Sequence, residues 1–163
     1  MSLEAVRRGD WIVGGLSLLL VIALLFLPWF SFTVGIGAIS ATATSTATGA
    51  PDGWLGVLGA LAALAVLADL VIDRFSPQTT LPQIGGSRAH TRLVLAGVAA
   101  LSVALKFLFH IHFGLFGWGF YVSVILSVAL VYFAAQTRDE SAPRAVEPAP
   151  PTAGAESSPS PRR

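Results

Sequence analysis

Chemistry in this chain could start at Lys106. It lies inside residues 93–112 (LVLAGVAALSVALKFLFHIH), an apolar run long enough to cross a bilayer, one turn before His110 and six residues before His112. A charge at the bilayer centre costs at least ~2.5–3.5 kcal/mol, so an ionisable residue within a span marks a candidate proton, ion or lipid-headgroup site. Depth offers a second reading. The ammonium is only ~9 Å from the end of the run at 1.5 Å per residue and can snorkel most of that way, which would make Lys106 a structural anchor. Asp52 is the one acid expected on the same side, so an Asp52–Lys106 pair beside Trp54 or Trp118 is the expected arrangement.

A second polar group gathers where the other span ends meet. Asp10, Asp69, Asp73, Arg74 and Arg92 fall at similar depth, with Asp69 about one turn inside, where Arg92 or a backbone donor would satisfy it. A proton relay would need further ionisable groups through the membrane centre, and the sequence places none there. His110 and His112 point roughly 200° apart on a helix, with no carboxylate cluster to complete a coordination set, so no metal is expected. A pH-responsive patch of His110 with Lys106 is conceivable, since histidine titrates near neutrality. The chain has no cysteine, which removes thiolate catalysis, disulfides and Cys-ligated metals. It also has no metalloprotease helix, nucleophile elbow or phosphate-cradling glycine loop. The expectation is a non-enzyme without a cofactor.

The elements that must position these residues are apolar. Of 163 residues, 54% are hydrophobic and 12% charged, with mean hydropathy +0.73 and net charge +1. Soluble domains carry about a quarter charged residues, and nothing here forms the basic face that nucleic acid requires. Four runs have the ~20 residues needed to span a bilayer: 11–30, 54–72, 93–112 and 118–135. Arg7 and Arg8 before the first run, with Ala41-Thr42-Ala43 after it, also resemble a signal peptide. That run exceeds the usual ~7–15-residue apolar core, so a retained anchor is expected. Between the first two runs, residues 39–48 alternate small apolar and hydroxyl side chains, which suits either a strand or hairpin or a flexible loop. Small residues recur at Gly56, Gly59, Ala60 and Ala63, at Ala96, Ala100 and Ala104, and at Gly119, Ser123 and Ser127. Such stripes let helices approach closely in lipid. From residue 137 the chain holds six of its ten prolines and reads as a disordered tail.

Direction follows from the cations. Nine arginines lie in the N-terminal lead (1–10), the middle connection and the tail, while Lys106 alone lies near the other side. Positive-inside bias therefore puts both termini in the cytoplasm at the cell membrane. Trp11, Trp29, Trp54 and Trp118 fall at span ends, where indole rings anchor at interfaces.

Leu27-Pro28-Trp29-Phe30 closing the first run, Arg8-Gly9-Asp10-Trp11 opening it, and the arginine-rich, lysine-poor composition resemble small four-helix integral membrane proteins of actinobacteria. That resemblance covers about residues 7–136 and implies a fold and no activity. The topology is also similar to claudin-like proteins, although the cysteine pair of the claudin outer loop has no counterpart here. The expected architecture is an all-α bundle of four transmembrane helices over residues 11–136, with a short β-prone outer loop and a disordered cytoplasmic tail. Expected partners are the bilayer and other membrane-protein subunits or a second copy. The expected role is a structural or accessory subunit. A small oligomeric transporter or channel component is the alternative.

Overall fold

The computed structural model describes residues 3–37, 39–49, 52–76, 78, 83–110 and 116–141. Among these, four long helices are joined by one β-hairpin and a short 3₁₀ turn: α1 (Leu3–Phe26), β1 (Pro28–Ile36), β2 (Ile39–Thr46), α2 (Gly53–Phe75), the turn Ile84–Gly86, α3 (Arg88–Phe109) and α4 (Trp118–Ser141). All four helices are long and apolar enough to cross a membrane. They pack in cyclic order, α1 against α2 and α4, and α3 against α2 and α4. His112, the turn residues Ala50 and Pro51, and residues 142–163 of the expected tail lie outside the described residues.

The first apolar run is not one helix. It bends at Leu27 and continues as β1 from Pro28, because proline lacks the N–H that another helical turn needs. The nearly uniform apolar composition of 11–30 hid this switch, since a run whose one polar side chain is Ser17 has no periodicity to read. β1 then pairs antiparallel with β2, from Phe30 opposite Ser45 to Ile36 opposite Ile39. Residues 39–46 are thus one strand of a hairpin, with the Thr33 and Thr42 hydroxyls 3.1 Å apart across it. The second and fourth helices exceed their expected bounds, while the third starts earlier and ends at Phe109, short of residue 112. Ser87 starts α3 at Arg88 by accepting the His90 N–H at 3.2 Å, an N-cap, and α4 runs on to Ser141.

The interior mixes small side chains with large ones such as Leu20, Leu24, Leu55, Val66 and Leu130, all 0% exposed. Ala60, Ala63, Ala96, Ala99, Ala134, Ser17, Ser123 and Ser127 are buried, while Leu19, Leu61, Leu101, Ile125 and Val128 are 52–68% exposed. Large apolar residues thus also cover the outer face, where a water-soluble bundle carries mostly polar side chains. The buried hydroxyls are satisfied within their own helices: Ser17 donates to Val13 O, Ser102 to Val98 O and Ser123 to Gly119 O, each at 2.8 Å.

Some of the small-residue stripes serve other purposes than helix–helix contact. A Cβ on Gly56 would lie 2.1 Å from Ala47 O, and one on Gly53 would lie 2.2 Å from Thr48 O. These glycines admit the chain that follows the hairpin. Gly59 does meet neighbouring helices, facing Leu24 of α1 and Ser102 of α3. Gly119 gives passage to Leu27 and Pro28. On α3 the buried face runs through Arg92, Ala96, Ala99, Val103 and Lys106. Ala100 is half-buried and Ala104 exposed, which corrects the expected 96–100–104 line. The buried face of α3 instead follows alternating steps of three and four, as a stripe on a helix of 3.6 residues per turn does.

Gly56→Ala should destabilise the purified protein by ~1–3 kcal/mol through overpacking against backbone. Gly97→Ala, where an added Cβ meets nothing within 4 Å, should leave the melting temperature unchanged or raise it. Thermal denaturation of the two variants in one detergent checks the contrast.

Candidate functional site

Two polar clusters sit at opposite ends of the bundle, and α3 contributes the central cation of each.

At the hairpin end, Lys106 is 1% exposed. Its ammonium donates to the backbone oxygen of Ala47, and also to Gly49 O at 3.5 Å and Asp52 O at 3.3 Å. Trp29 and Phe30 flank it, with ring centroids 5.8 and 5.7 Å from Nζ, close enough for cation–π attraction. An ammonium has three donors and accepts nothing, so three carbonyls complete its demand. The side chain is buried within the protein, and the expected carboxylate pairing with Asp52 is replaced by a bond to that residue's backbone. Asp52 adopts a left-handed conformation (φ 50°) just before α2, one that aspartate tolerates better than most residues. Its carboxylate faces His110, with Oδ2 3.6 Å from Nε2, while His110 Nδ1 lies 3.2 Å from Lys106 O.

Trp29 is fully buried, which corrects its expected place as an interface anchor. It sits on β1 beneath the hairpin, donates from Nε1 to Ser123 Oγ at 3.1 Å, and meets Phe120 edge-on at 5.5 Å. Gly117 N–H donates to Trp29 O at 2.7 Å, so the start of α4 is fastened to the same strand. Trp11, Trp54 and Trp118 are 59–75% exposed.

At the other end, Arg92 meets three carboxylates with three nitrogens. Nε donates to Asp69 Oδ2 at 2.5 Å, Nη2 to Asp73 Oδ2 at 2.8 Å and Nη1 to Asp10 Oδ1 at 3.3 Å. Arg88 takes the remaining oxygen of Asp73. The planar guanidinium fork suits this geometry in a way an ammonium could not. Asp10 is on α1, Asp69 and Asp73 on α2, and both arginines on α3, so one cluster joins three helices. Asp69 and Arg92 are each 7% exposed, so at that pair the attraction is little screened by solvent.

The sequence brings Asp10, Asp69, Asp73 and Arg92 to one depth, and the structure places them in contact. Arg74 is exposed beside Asp10 without a salt bridge among the described residues, and Arg88 makes one instead. The Ser87 cap was the signal that would have put Arg88 on α3, one turn from Arg92. The carbonyls around Lys106 left no mark in the side-chain sequence. Among the described residues no buried side-chain nitrogen or oxygen lacks a partner, and no group of three or more His, Cys, Asp or Glu residues could hold a metal ion. No protein-family model, curated protein or solved structure matches the chain.

Arg92→Leu strands the buried Asp69 carboxylate and should cost ~3–5 kcal/mol. Adding Asp69→Asn should recover part of that loss, giving a coupling energy of at least ~1 kcal/mol in a double-mutant cycle. Lys106→Met should cost ~2–4 kcal/mol, because it strands buried carbonyls. It should also raise amide exchange at Thr48 and Gly49 more than in α4. Denaturation and hydrogen exchange read these outcomes.

Proposed function

We propose that this chain is a multi-pass integral protein of the cell membrane, with both termini cytoplasmic. In this reading it acts as a non-enzymatic structural or accessory subunit that presents its hairpin on the outer side. The observation that carries the reading is the commitment of both buried cations to internal fastening. Lys106 binds the chain after the hairpin to α3, and Arg92 binds α1 and α2 to α3. A buried charge closed on itself in this way supports a fixed architecture. Support for the membrane setting comes from the large apolar residues exposed along all four helices and from the arginine bias among connections.

The hairpin is what remains available. β2 has an outer edge without a strand partner among the described residues, and its residues Ile39 to Thr44 are exposed. Val34 and Ile39 near the tip are 64% and 78% exposed. Unpaired edges and exposed apolar tips are surfaces on which other chains dock, here another membrane-protein subunit or a second copy.

The alternative, a small transporter or channel component acting as an oligomer, would use Lys106, His110 and Asp69. Lys106 and Arg92 are separated along α3 by ~21 Å at 1.5 Å per residue. The buried positions of α3 between them are Ala96, Ala99, Ser102 and Val103, which offer no titratable step.

Because the chain lacks cysteine, single cysteines report topology without background. In intact cells an impermeant maleimide should label Thr44→Cys and not Ser87→Cys; the reverse pattern would invert the map. Crosslinking in native membranes, then purification, should recover a stable heteromeric or homomeric complex that Thr44→Cys labelling disrupts. A homo-oligomer that conducts ions in liposomes would favour the alternative.

A further inference from the structure

At the end of the bundle held by Arg92, α1 and α2 separate to leave a groove of about 340 Å³. Gly14, Gly15 and Leu18 form one wall, and Leu67, Leu70 and Val71 the other. The groove exists because α1 carries two glycines where side chains would close it. A Cβ on Gly15 would meet nothing within 4 Å, and one on Gly14 only the tips of Leu67 and Leu70. Trp11 and Phe75, 75% and 81% exposed, stand at the charged mouth.

Charge at that mouth is unevenly committed. Asp10 and Asp73 line it, but Asp73 has both oxygens on arginines and Asp10 faces Arg92. Arg74 also lines it and is exposed, with no ion pair among the described residues. Arg8 is likewise exposed and unpaired among them. It precedes Gly15 by seven residues, two helical turns, and so shares its face of α1. An apolar slot with the exposed Arg74 guanidinium at its mouth, drawn electrostatically to Asp10, and Arg8 two turns before Gly15 on the same helix face matches a molecule with an acyl chain and an anionic phosphate.

We infer that this groove binds one anionic phospholipid, with an acyl chain between α1 and α2 and its phosphate on Arg74 and Arg8. The inference rests on the membrane reading above. Guanidinium groups recognise phosphate through paired donors, and each basic residue near the headgroup contributes about fivefold in affinity. The glycine pair supplies the chain slot and the arginines the preference for negative charge.

The test uses the full chain in nanodiscs of mixed phosphatidylglycerol and phosphatidylcholine, with retained lipid counted by native mass spectrometry. Wild type should retain one phosphatidylglycerol in preference to phosphatidylcholine. Arg74→Gln should weaken that preference about fivefold and the double change with Arg8→Gln by more than tenfold. Gly15→Leu should fill the slot and lower retention of both lipids while the melting temperature holds. Unchanged phosphatidylglycerol retention in Arg74→Gln and Gly15→Leu overturns the proposal. So does a dimer lost in Gly15→Leu with lipid content intact, which would make a second copy the occupant. An alkaline carbonate wash of native membranes separates the two levels. Release of the chain means the membrane reading has failed, whereas a chain that stays embedded with indifferent lipid binding defeats only the groove.

Discussion

Lys106 sits among backbone oxygens of the segment that follows the hairpin, with two aromatic rings beside it and no carboxylate on its ammonium. Burying an ammonium is expensive unless its donors are all met, and here the residues that meet them are those joining β2 to α2. The arrangement constrains much else at that end. Gly53 and Gly56 have to lack side chains so that residues 47 and 48 can lie against α2. Asp52 has to turn left-handed to enter that helix with its carbonyl on Lys106. Trp29 and Phe30 have to leave α1 and become strand to floor the site. A two-stranded hairpin alone is marginal; this one is fastened through Lys106 on one side and through Gly117 and Phe116 of the α4 approach on the other.

The far end solves the opposite problem with side chains. Three carboxylates converge, and one guanidinium touches all of them while a second shares Asp73. Between the two ends alanine, serine and glycine pack together with buried Val13, Leu20, Leu24, Val66 and Leu130. In lipid, burying apolar surface between helices gains little, so close approach and a few polar contacts carry association. The bundle therefore has specific polar fastenings at both ends and an apolar core of mixed small and large residues between them.

What could be read in advance divides along the same line. The four helices, the Asp69–Arg92 contact and the exposed Trp11, Trp54 and Trp118 depend on side-chain identity and depth, which sequence states directly. The surroundings of Lys106 depend on backbone carbonyls, which every residue has and no residue advertises. Depth alone therefore suggested outward snorkelling. Trp29 was obscured differently: the run through residues 11–30 is apolar apart from Ser17, and only Pro28 marks where a helix becomes a strand. On α2, glycines spaced for helix packing were partly spaced for a loop. On α3, the buried face runs through Ala96, Ala99 and Val103 and leaves Ala104 outside.

The central claim is that the Lys106 ammonium is held by the carbonyls after the hairpin. Solid-state NMR on the protein in bilayers, with ¹⁵N on lysine side chains and ¹³C on alanine carbonyls, addresses it directly, since the chain has a single lysine. The account predicts a strong dipolar contact from Nζ to the Ala47 carbonyl carbon and slow exchange of the ammonium protons with water. An ammonium in fast exchange with water, without contact to that carbonyl, would contradict it.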